Sequence, residues 1–283
     1  MKCELCPRKC GVNREENAGF CGVKTLKVAR VMLHMWEEPI ISVGKGSGAI
    51  FFSGCNLKCL YCQNFEISHQ AKGNEISPKG LAEIFKDLEK RGAANINLVT
   101  PTHFAYEIVE ALEIYRPKIP IVWNTSGYEE VETIKKISKY VDVYLTDLKY
   151  FSSELSKNFS NAENYFEKAS KAILEMRKAQ PKDVVENGVM KKGLIVRHLV
   201  LPGCVKDSIK VLDWIKENLG SETYLSLMNQ YTPCYKASEN ELLKRKIKPL
   251  EYKAAQAHAL KLGFENGFFQ ESQSASKKYI PKF

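Results

Sequence analysis

Three cysteines lie close together in the segment FFSGCNLKCLYCQN, which spans residues 51–64. Cys55, Cys59 and Cys62 have C-x3-C-x2-C spacing, and three thiolates are one ligand short of a closed tetrahedral metal site. Structural zinc requires four ligands, whereas a [4Fe–4S] cluster held by three cysteines leaves one iron open to a chelating small molecule. The soft sulfur ligands therefore favour an iron–sulfur cluster with one open coordination position.

A second group of cysteines precedes this one. Cys3, Cys6, Cys10 and Cys21 have C-x2-C-x3-C-x10-C spacing on a turn-rich stretch, and four thiolates make a complete, closed site. A structural zinc ion that folds a segment too short for its own core is the favoured interpretation. An auxiliary [4Fe–4S] cluster that relays electrons or binds substrate is the alternative.

Composition limits the class of protein. Nine cysteines among 283 residues, with seven in the first 62, indicate metal ligation in a reducing compartment rather than a disulfide framework. The net charge of +9 comes from scattered lysines and arginines, which favours a solvated basic surface over a nucleic-acid site. The sequence shows neither a membrane-length apolar run nor a signal-peptide pattern, so we expect a cytoplasmic protein without a membrane anchor.

The elements that must position these cysteines alternate between apolar runs and amphipathic segments. Six strand–helix repeats follow from residue 49 to residue 263, and no G-x-G-x-x-G phosphate loop accompanies them. We predict an α/β fold: a partial (β/α)6 TIM-type barrel, open on one side, with a small cysteine-rich metal-binding segment at the N-terminus. The predicted divisions are 1–25 for that segment, 26–232 for the barrel and 233–283 for a C-terminal helical extension.

Polar residues recur where the predicted strands end, which is the rim on which β/α barrels place their chemistry. In VDVYLTDLK, alternation places Asp147 and Lys149 at the end of an apolar face. The recurring rim residues are Cys55, Thr100, Thr102, Asn124, Ser126, Asp147, Lys149, Arg197, His198, Asn229 and Gln230.

The three-cysteine motif, with Tyr61 directly before its third cysteine and after the first of six strands, resembles the radical S-adenosylmethionine (SAM) superfamily. The resemblance implies a [4Fe–4S] cluster on Cys55, Cys59 and Cys62 whose open iron is chelated by SAM. It also implies reductive cleavage of SAM to a 5′-deoxyadenosyl radical that abstracts hydrogen from a substrate. The SAM-binding set that it implies consists of Tyr61, Asn64, Thr100, Asn124, Ser126, Asp147, Lys149 and Arg197.

Within that superfamily the chain looks most like the pyruvate formate-lyase activating enzymes, through WNTSG, TDLK and VRHLVLPG. An activating-enzyme-like subgroup matches more closely, through CELCPRKCGVNR, NINLVTPTH and MNQY. The activase likeness implies a partner protein that receives a glycyl radical, and the Fe–S site implies a low-potential donor such as flavodoxin or ferredoxin. Modification of another peptide, RNA or small molecule is one alternative, and a non-catalytic Fe–S or zinc-binding interaction protein is another.

Several positions depart from the family or carry two interpretations. VTPTH replaces the Gly-Gly-Glu stretch that holds the SAM amine in many radical SAM enzymes, and Asn124 replaces an acidic residue of the activases. Arg197 is expected to bind a carboxylate of SAM or substrate, or equally to pair with a core carboxylate. His198 is expected to be structural, and a substrate contact is the minority interpretation for His103, Cys204 and Cys234.

Overall fold

The computed structural model describes residues 2–270 of the chain. Its strands are β1 (Lys27–His34), β2 (Ser47–Phe52), β3 (Asn74–Glu75), β4 (Ile96–Val99), β5 (Ile121–Thr125), β6 (Val143–Asp147), β7 (Val184–Glu186), β8 (Val189–Leu199), β9 (Tyr224–Met228) and β10 (Gly267–Phe269). Its α-helices are α1 (Phe65–Ser68), α2 (Pro78–Lys90), α3 (Ala105–Ile114), α4 (Val131–Ile137), α5 (Ser153–Ser160), α6 (Tyr165–Ala179), α7 (Val205–Leu219) and α8 (Pro249–Lys261).

The six predicted strands, β2, β4, β5, β6, β8 and β9, are present and lie side by side in chain order. All five of their pairings are parallel. The full sheet has the order β10-β9-β8-β6-β5-β4-β2-β1-β3, with β7 paired to β8. Within residues 2–270 no pairing joins the edge strands β3 and β10. The fold is therefore α/β with a mostly parallel sheet, consistent with a partial TIM-type barrel that is open on one side.

The helices cover one face of the sheet because their apolar residues recur at helical spacing. In α2, Ser77 caps the first turn by accepting the Gly80 N–H, and Pro78 occupies the first helical position. Leu81 and Phe85 then point into the main core, where they join alternate residues of the strands. The opposite sheet face is left for the loops and for polar side chains.

A loop of residues 35–46, between β1 and β2, fills part of that opposite face. Ile41 packs there against Val122, Val143 and Ile195, and its carbonyl accepts the Asn95 side-chain amide at 2.8 Å. β1 itself runs antiparallel to β2. Neither β1 nor this loop was predicted, because β1 alternates only weakly between apolar and polar residues.

Two further differences concern the later helices. The helix predicted over residues 161–179 is present as α6, and an unpredicted helix, α5, precedes it and ends at Asn161, which is left-handed with φ +55°. In residues 233–270, the described part of the predicted C-terminal extension, the chain is not wholly helical, since β10 pairs with β9 and continues the sheet. Residues 271–283 of that extension lie outside the described residues. Among the described residues, the search for a helix long and apolar enough to cross a membrane found none.

Candidate active site

The three-cysteine loop, residues 54–64, leads from β2 to α1. It begins at Gly54, which has φ +85°; a Cβ there would lie 2.7 Å from the carbonyl oxygen of Cys21. Glycine is therefore required at this turn. The Leu57 N–H donates to Cys55 Sγ at 3.4 Å, so the backbone of the loop itself stabilises the first sulfur.

The other two sulfurs receive side-chain hydroxyls. Ser160 Oγ donates to Cys59 Sγ at 2.9 Å, and Ser68 Oγ lies 3.1 Å from Cys62 Sγ. Hydrogen bonds to cluster sulfurs are among the features that set the reduction potential of Fe–S centres. The sequence analysis missed both serines, since nothing in their local sequence connects them to a cysteine motif.

Burial dominates the protonation of these thiols. It raises the pKa of Cys59 to about 11, which the positive charge of Lys149 partly opposes. It also raises the pKa of Cys62 to about 12. Because metals bind thiolates, loading this loop with a metal centre must release protons.

The thiols open onto a cavity of about 180 Å³ at the carboxyl ends of the parallel strands. The structure brings together around it most of the predicted site, and the cavity is lined by Phe52, Gly54, Cys55, Leu57, Cys59, Cys62, Asn64, Ile67, Ser68, Val99, Thr100, Asn124, Thr125, Ser126, Asp147, Lys149 and Arg197. Polar residues at the carboxyl ends of the predicted strands therefore predicted the position of this cavity.

Tyr61 is placed differently from the rest of the predicted set. Its side chain is buried, and its hydroxyl lies 2.5 Å from the Tyr150 hydroxyl, which in turn lies 2.7 Å from Ser160 Oγ. These contacts connect Tyr61 to Cys59 through Ser160 and place it behind the sulfurs. A contact of Tyr61 with the adenine of SAM stays a prediction.

Thr100, at the end of β4, has a strained backbone. Its φ is +60°, a conformation that is a true outlier for a β-branched residue. Its N–H donates to the Asn124 carbonyl at 2.9 Å. Such strain concentrates at binding sites, and here it falls on a wall of the cavity, in the VTPTH stretch that departs from the family pattern.

The floor of the cavity is an ionic network. Lys149 Nζ donates to Asp147 Oδ2 at 2.6 Å, and Arg197 Nε donates to Asp147 Oδ1 at 2.8 Å. Arg197 also donates to Asn124 Oδ1 at 2.7 Å. Of the two interpretations of Arg197, the structure shows pairing with core carboxylates.

Glu37 completes this network and was missed by the sequence analysis. It comes from the loop of residues 35–46; its Oε2 lies 3.3 Å from Arg197, and its Oε1 accepts the amides of Asn97 and Asn124 at 3.1 and 3.2 Å. The only sequence signal for Glu37 was that it stands next to a second glutamate, Glu38, in the stretch before β2. That signal is weak, because consecutive acidic residues usually face solvent.

The pKa values of Asp147 and Glu37 shift in opposite directions. Burial would raise the pKa of Asp147, but the charges of Arg197 and Lys149 outweigh it and lower that pKa. Burial raises the pKa of Glu37, with Arg197 opposing the rise. The network therefore keeps Asp147 ionised beside two fixed cations at the cavity floor.

The remaining candidates lie in structural positions. His103 Nε2 contacts the Ser53 carbonyl at 2.7 Å, and both ring nitrogens of the buried His198 are hydrogen-bonded, to the Leu148 carbonyl and to Ser208 Oγ. Cys204 lines a separate cavity of about 490 Å³, and burial raises its pKa to about 12. Cys234 directly precedes the 3-10 turn Tyr235–Glu239.

All nine cysteines are free thiols. The N-terminal group packs beside the active-site loop, since the Cys55 N–H donates to the Cys21 carbonyl at 3.3 Å. Among residues 2–270, no three His, Cys, Asp or Glu side chains already form a metal cage. A second metal site on Cys3, Cys6, Cys10 and Cys21 stays a prediction.

Comparison with known proteins identifies relatives of this arrangement. The model of the Radical SAM superfamily matches residues 49–200, which include the three-cysteine loop and the strands through β8. An uncharacterised protein of Methanocaldococcus jannaschii is 34% identical over 257 residues, covering 87% of this chain and 70% of its own length. The pyruvate formate-lyase-activating enzyme of Clostridium pasteurianum is 24% identical, covering 77% of this chain and 90% of its own length.

A solved structure shows the same fold. SuiB of Streptococcus suis bound to S-adenosylmethionine superposes with a TM-score of 0.52 at 13% identity, covering 77% of this chain. This chain spans 48% of the length of that protein. At this identity, the likeness describes the barrel and carries no residue roles.

Proposed function

The chain belongs to the radical SAM superfamily, and we propose that it reductively cleaves S-adenosylmethionine at a [4Fe–4S] cluster bound by Cys55, Cys59 and Cys62. Membership of this family implies both the cluster and SAM. When bound, they supply a 5′-deoxyadenosyl radical that abstracts a hydrogen atom from the substrate. The protein has to hold the cluster, orient SAM and exclude water.

The observation that carries this proposal is the position of the three thiols on one cavity that also holds charged and hydrogen-bonding side chains. A three-thiolate set is the donor chemistry that Fe–S clusters take, and an amide or hydroxyl contacts each sulfur. The cavity beside them has walls of hydrogen-bonding side chains rather than a fourth cysteine. The residues thus fit a cluster that shares one iron with a polar ligand.

The chain's own residues supply the binding groups for SAM. We assign Lys149, which lines the cavity and acts electrostatically on Cys59, as the cation facing the SAM carboxylate. Asp147 fixes Lys149 and Arg197 in place through both of its oxygens. The strained backbone of Thr100 and the side chains of Asn124 and Ser126 supply the remaining polar contacts.

For the substrate, we propose a residue of a partner protein, with the hydrogen taken from a glycine as in an activase. The support is the likeness to the Clostridium pasteurianum activating enzyme, which extends over 90% of that enzyme. A low-potential flavodoxin or ferredoxin would deliver the electron. The net charge of +9 favours an acidic donor, since opposite charges speed the encounter of two proteins.

The test is anaerobic reconstitution with iron and sulfide, reduction, and chromatography of the products formed from SAM. We expect one [4Fe–4S] cluster at the three-cysteine loop and release of 5′-deoxyadenosine. Cys59→Ala should abolish both, whereas Cys234→Ala, a matched loss of a thiol outside the motif, should leave both intact. Product formation that survives the loss of Cys59 would overturn the proposal.

The substrate class is tested by isotope transfer. A candidate glycyl-radical protein deuterated at glycine should pass deuterium into 5′-deoxyadenosine, whereas the same protein deuterated at alanine should not. Transfer from a deuterated small peptide, RNA or metabolite instead would replace the activase role with one of those substrates. Two bound zinc ions and no nucleoside product would identify a metal-binding interaction protein.

A further inference from the structure

The N-terminal segment, residues 2–23, is a turn-rich loop held by few backbone contacts. Lys2 and Asn13 form an isolated bridge, and the Cys3 N–H donates to the Val12 carbonyl at 3.0 Å. The Gly11 N–H returns to the Cys3 carbonyl at 3.1 Å. The segment thus folds back on itself, which brings its cysteines toward one another.

The four thiols of this segment act electrostatically on one another. The pKa of Cys6 is raised to about 12, chiefly by burial and further by neighbours that include Cys21 and Cys3. The pKa of Cys21 is raised by burial, with Cys3 and Cys10 adding to the rise. A Cβ at residue 19 would lie 2.7 Å from Cys10 Sγ, so a glycine there leaves room for that sulfur.

The turn that carries Cys6 and Cys10 repeats the turn of the active-site loop. In CPRKC and CNLKC, the lysine before the second cysteine is left-handed, with φ +41° at Lys9 and +58° at Lys58. In both turns the amide two residues after the first cysteine hydrogen-bonds its sulfur, from Arg8 and from Leu57. The same backbone turn, with an N–H bonded to the first sulfur, is therefore present twice in the described part of the chain.

The segment contributes little apolar core. Besides its buried cysteines, it adds only Leu5 and Val23 to the core of the described protein. Disulfides or metals commonly stabilise segments with so little core. All four cysteines are free thiols, so they are available as metal ligands.

The segment also contacts the active-site loop at two places. On one side the Cys55 N–H donates to the Cys21 carbonyl at 3.3 Å. On the other, Arg8 donates to the Asn56 carbonyl at 2.7 Å and to the Ser160 carbonyl at 3.3 Å. Since Ser160 in turn donates to Cys59 Sγ, Arg8 touches both the loop and the residue that supports one of its sulfurs.

We propose that Cys3, Cys6, Cys10 and Cys21 bind one metal centre through four thiolates, and that this centre secures the three-cysteine loop through Cys21 and Arg8. A closed set of four thiolates without an open position suits structural zinc, and an Fe–S cluster has the same ligand chemistry. Metal binding is independent of the proposed reaction. The securing role rests on the proposed function, because it acts on the cluster that this function requires.

The metal site is tested in the full chain with Cys55, Cys59 and Cys62 all changed to alanine. Elemental analysis after anaerobic purification and chelator washing should give one zinc per chain, or iron with sulfide if the centre is a cluster. Adding Cys6→Ala or Cys10→Ala should remove that metal. A triple variant that is folded by circular dichroism and holds no metal would overturn the site, whether or not the proposed reaction occurs.

The securing role is tested by comparing Arg8 with an exposed lysine next to the segment. Arg8→Gln should speed the release of iron from the reconstituted loop to a chelator by roughly tenfold, the effect of one lost charge-assisted hydrogen bond. Lys24→Gln is the control, because Lys24 is exposed and its amine donates to the Glu16 carbonyl at 2.8 Å. Equal rates for both variants would overturn the securing role, and Arg8→Lys supplies a second variant if Arg8→Gln does not fold.

Discussion

The four-cysteine segment and the three-cysteine loop share a turn and differ in what surrounds it. Both contain a C-x3-C turn with a left-handed lysine and an N–H directed at the first sulfur. The loop opens onto a cavity with charged walls, whereas the thiols of Cys3 and Cys10 in the segment act electrostatically on Cys21. We infer that the turn provides sulfur ligands, while the side chains around it decide whether a bound centre would be open to a further ligand.

The buried carboxylates near the two regions also differ in the groups that bond them. Asp147, beneath the three-cysteine loop, is paired with Lys149 and Arg197. Glu129, whose charge acts on Cys6 in the segment, accepts only neutral donors, including Thr102 Oγ1 at 2.6 Å and Trp123 Nε1 at 3.3 Å. Cations thus pair with the carboxylate at the cavity, and uncharged hydroxyl and indole donors bond the carboxylate near the four-cysteine segment.

We expect the largest effect from removing one thiol of each region. Cys59→Ala removes a ligand of the proposed open centre, so SAM cleavage should fall to background. Cys10→Ala removes a ligand of the proposed closed centre beside the loop, so the rate should fall only through a loosened loop and stay measurable. Release of 5′-deoxyadenosine by equal amounts of reconstituted protein checks both variants, and equal loss in the two would erase the distinction between the regions.

The next largest effect concerns charge at the cavity. Asp147→Asn leaves two buried cations without their shared partner, so the free energy of unfolding should fall by about 3–5 kcal/mol. Denaturant titration measures this change. The control is Glu167→Gln, which removes one member of an exposed helical ion pair and should have no measurable effect. Similar results for both variants would show that the network contributes little.

Glu129, near the four-cysteine segment, makes the stability of the protein depend on pH. Its pKa is raised, whereas that of Asp147 is lowered. Burial raises the pKa of Glu129 from 4.5 to about 7, so the folded state disfavours its ionised form. The stability that the neutral carboxyl provides is complete below pH 4.5 and is lost as the pH rises through 7, a change of about 3 kcal/mol.

Glu129→Gln cannot ionise, so it should flatten the decline of stability between pH 5 and pH 8. Denaturant titrations of both proteins across this range measure the difference. The same slope in the variant and the parent would mean that Glu129 does not carry the pH dependence.

The smallest effect tests whether the two turns are alike. A left-handed conformation is costly for lysine and easy for glycine, so Lys9→Gly and Lys58→Gly should each raise the free energy of unfolding by less than about 1 kcal/mol. Thermal melts of the metal-loaded protein provide the measurement. A gain at one position together with a loss at the other would show that the turns differ in strain.

Much of the fold and of the pocket was predictable because both depend on local patterns. The strand β6 ends at Asp147 as alternation predicted, and the rim residues Thr100, Asn124 and Arg197 meet at one cavity because parallel strands end together. The short helix α5 was not predicted, because its eight residues carry only two apolar positions, Leu155 and Phe159, which is too few for a helical periodicity. Tyr61 shows the same limit: its neighbour in sequence is Cys62, but its hydroxyl contacts Tyr150.

The sequence alone predicted the ligand chemistry and the order of the strands and helices, since cysteine spacing and strand–helix alternation are properties of neighbouring residues. Only the tertiary structure placed Glu37 under Arg197, Ser160 on Cys59 and Arg8 on the active-site loop. Each of these contacts joins residues that are far apart along the chain. Long-range packing decides such contacts, and a local pattern carries no record of them.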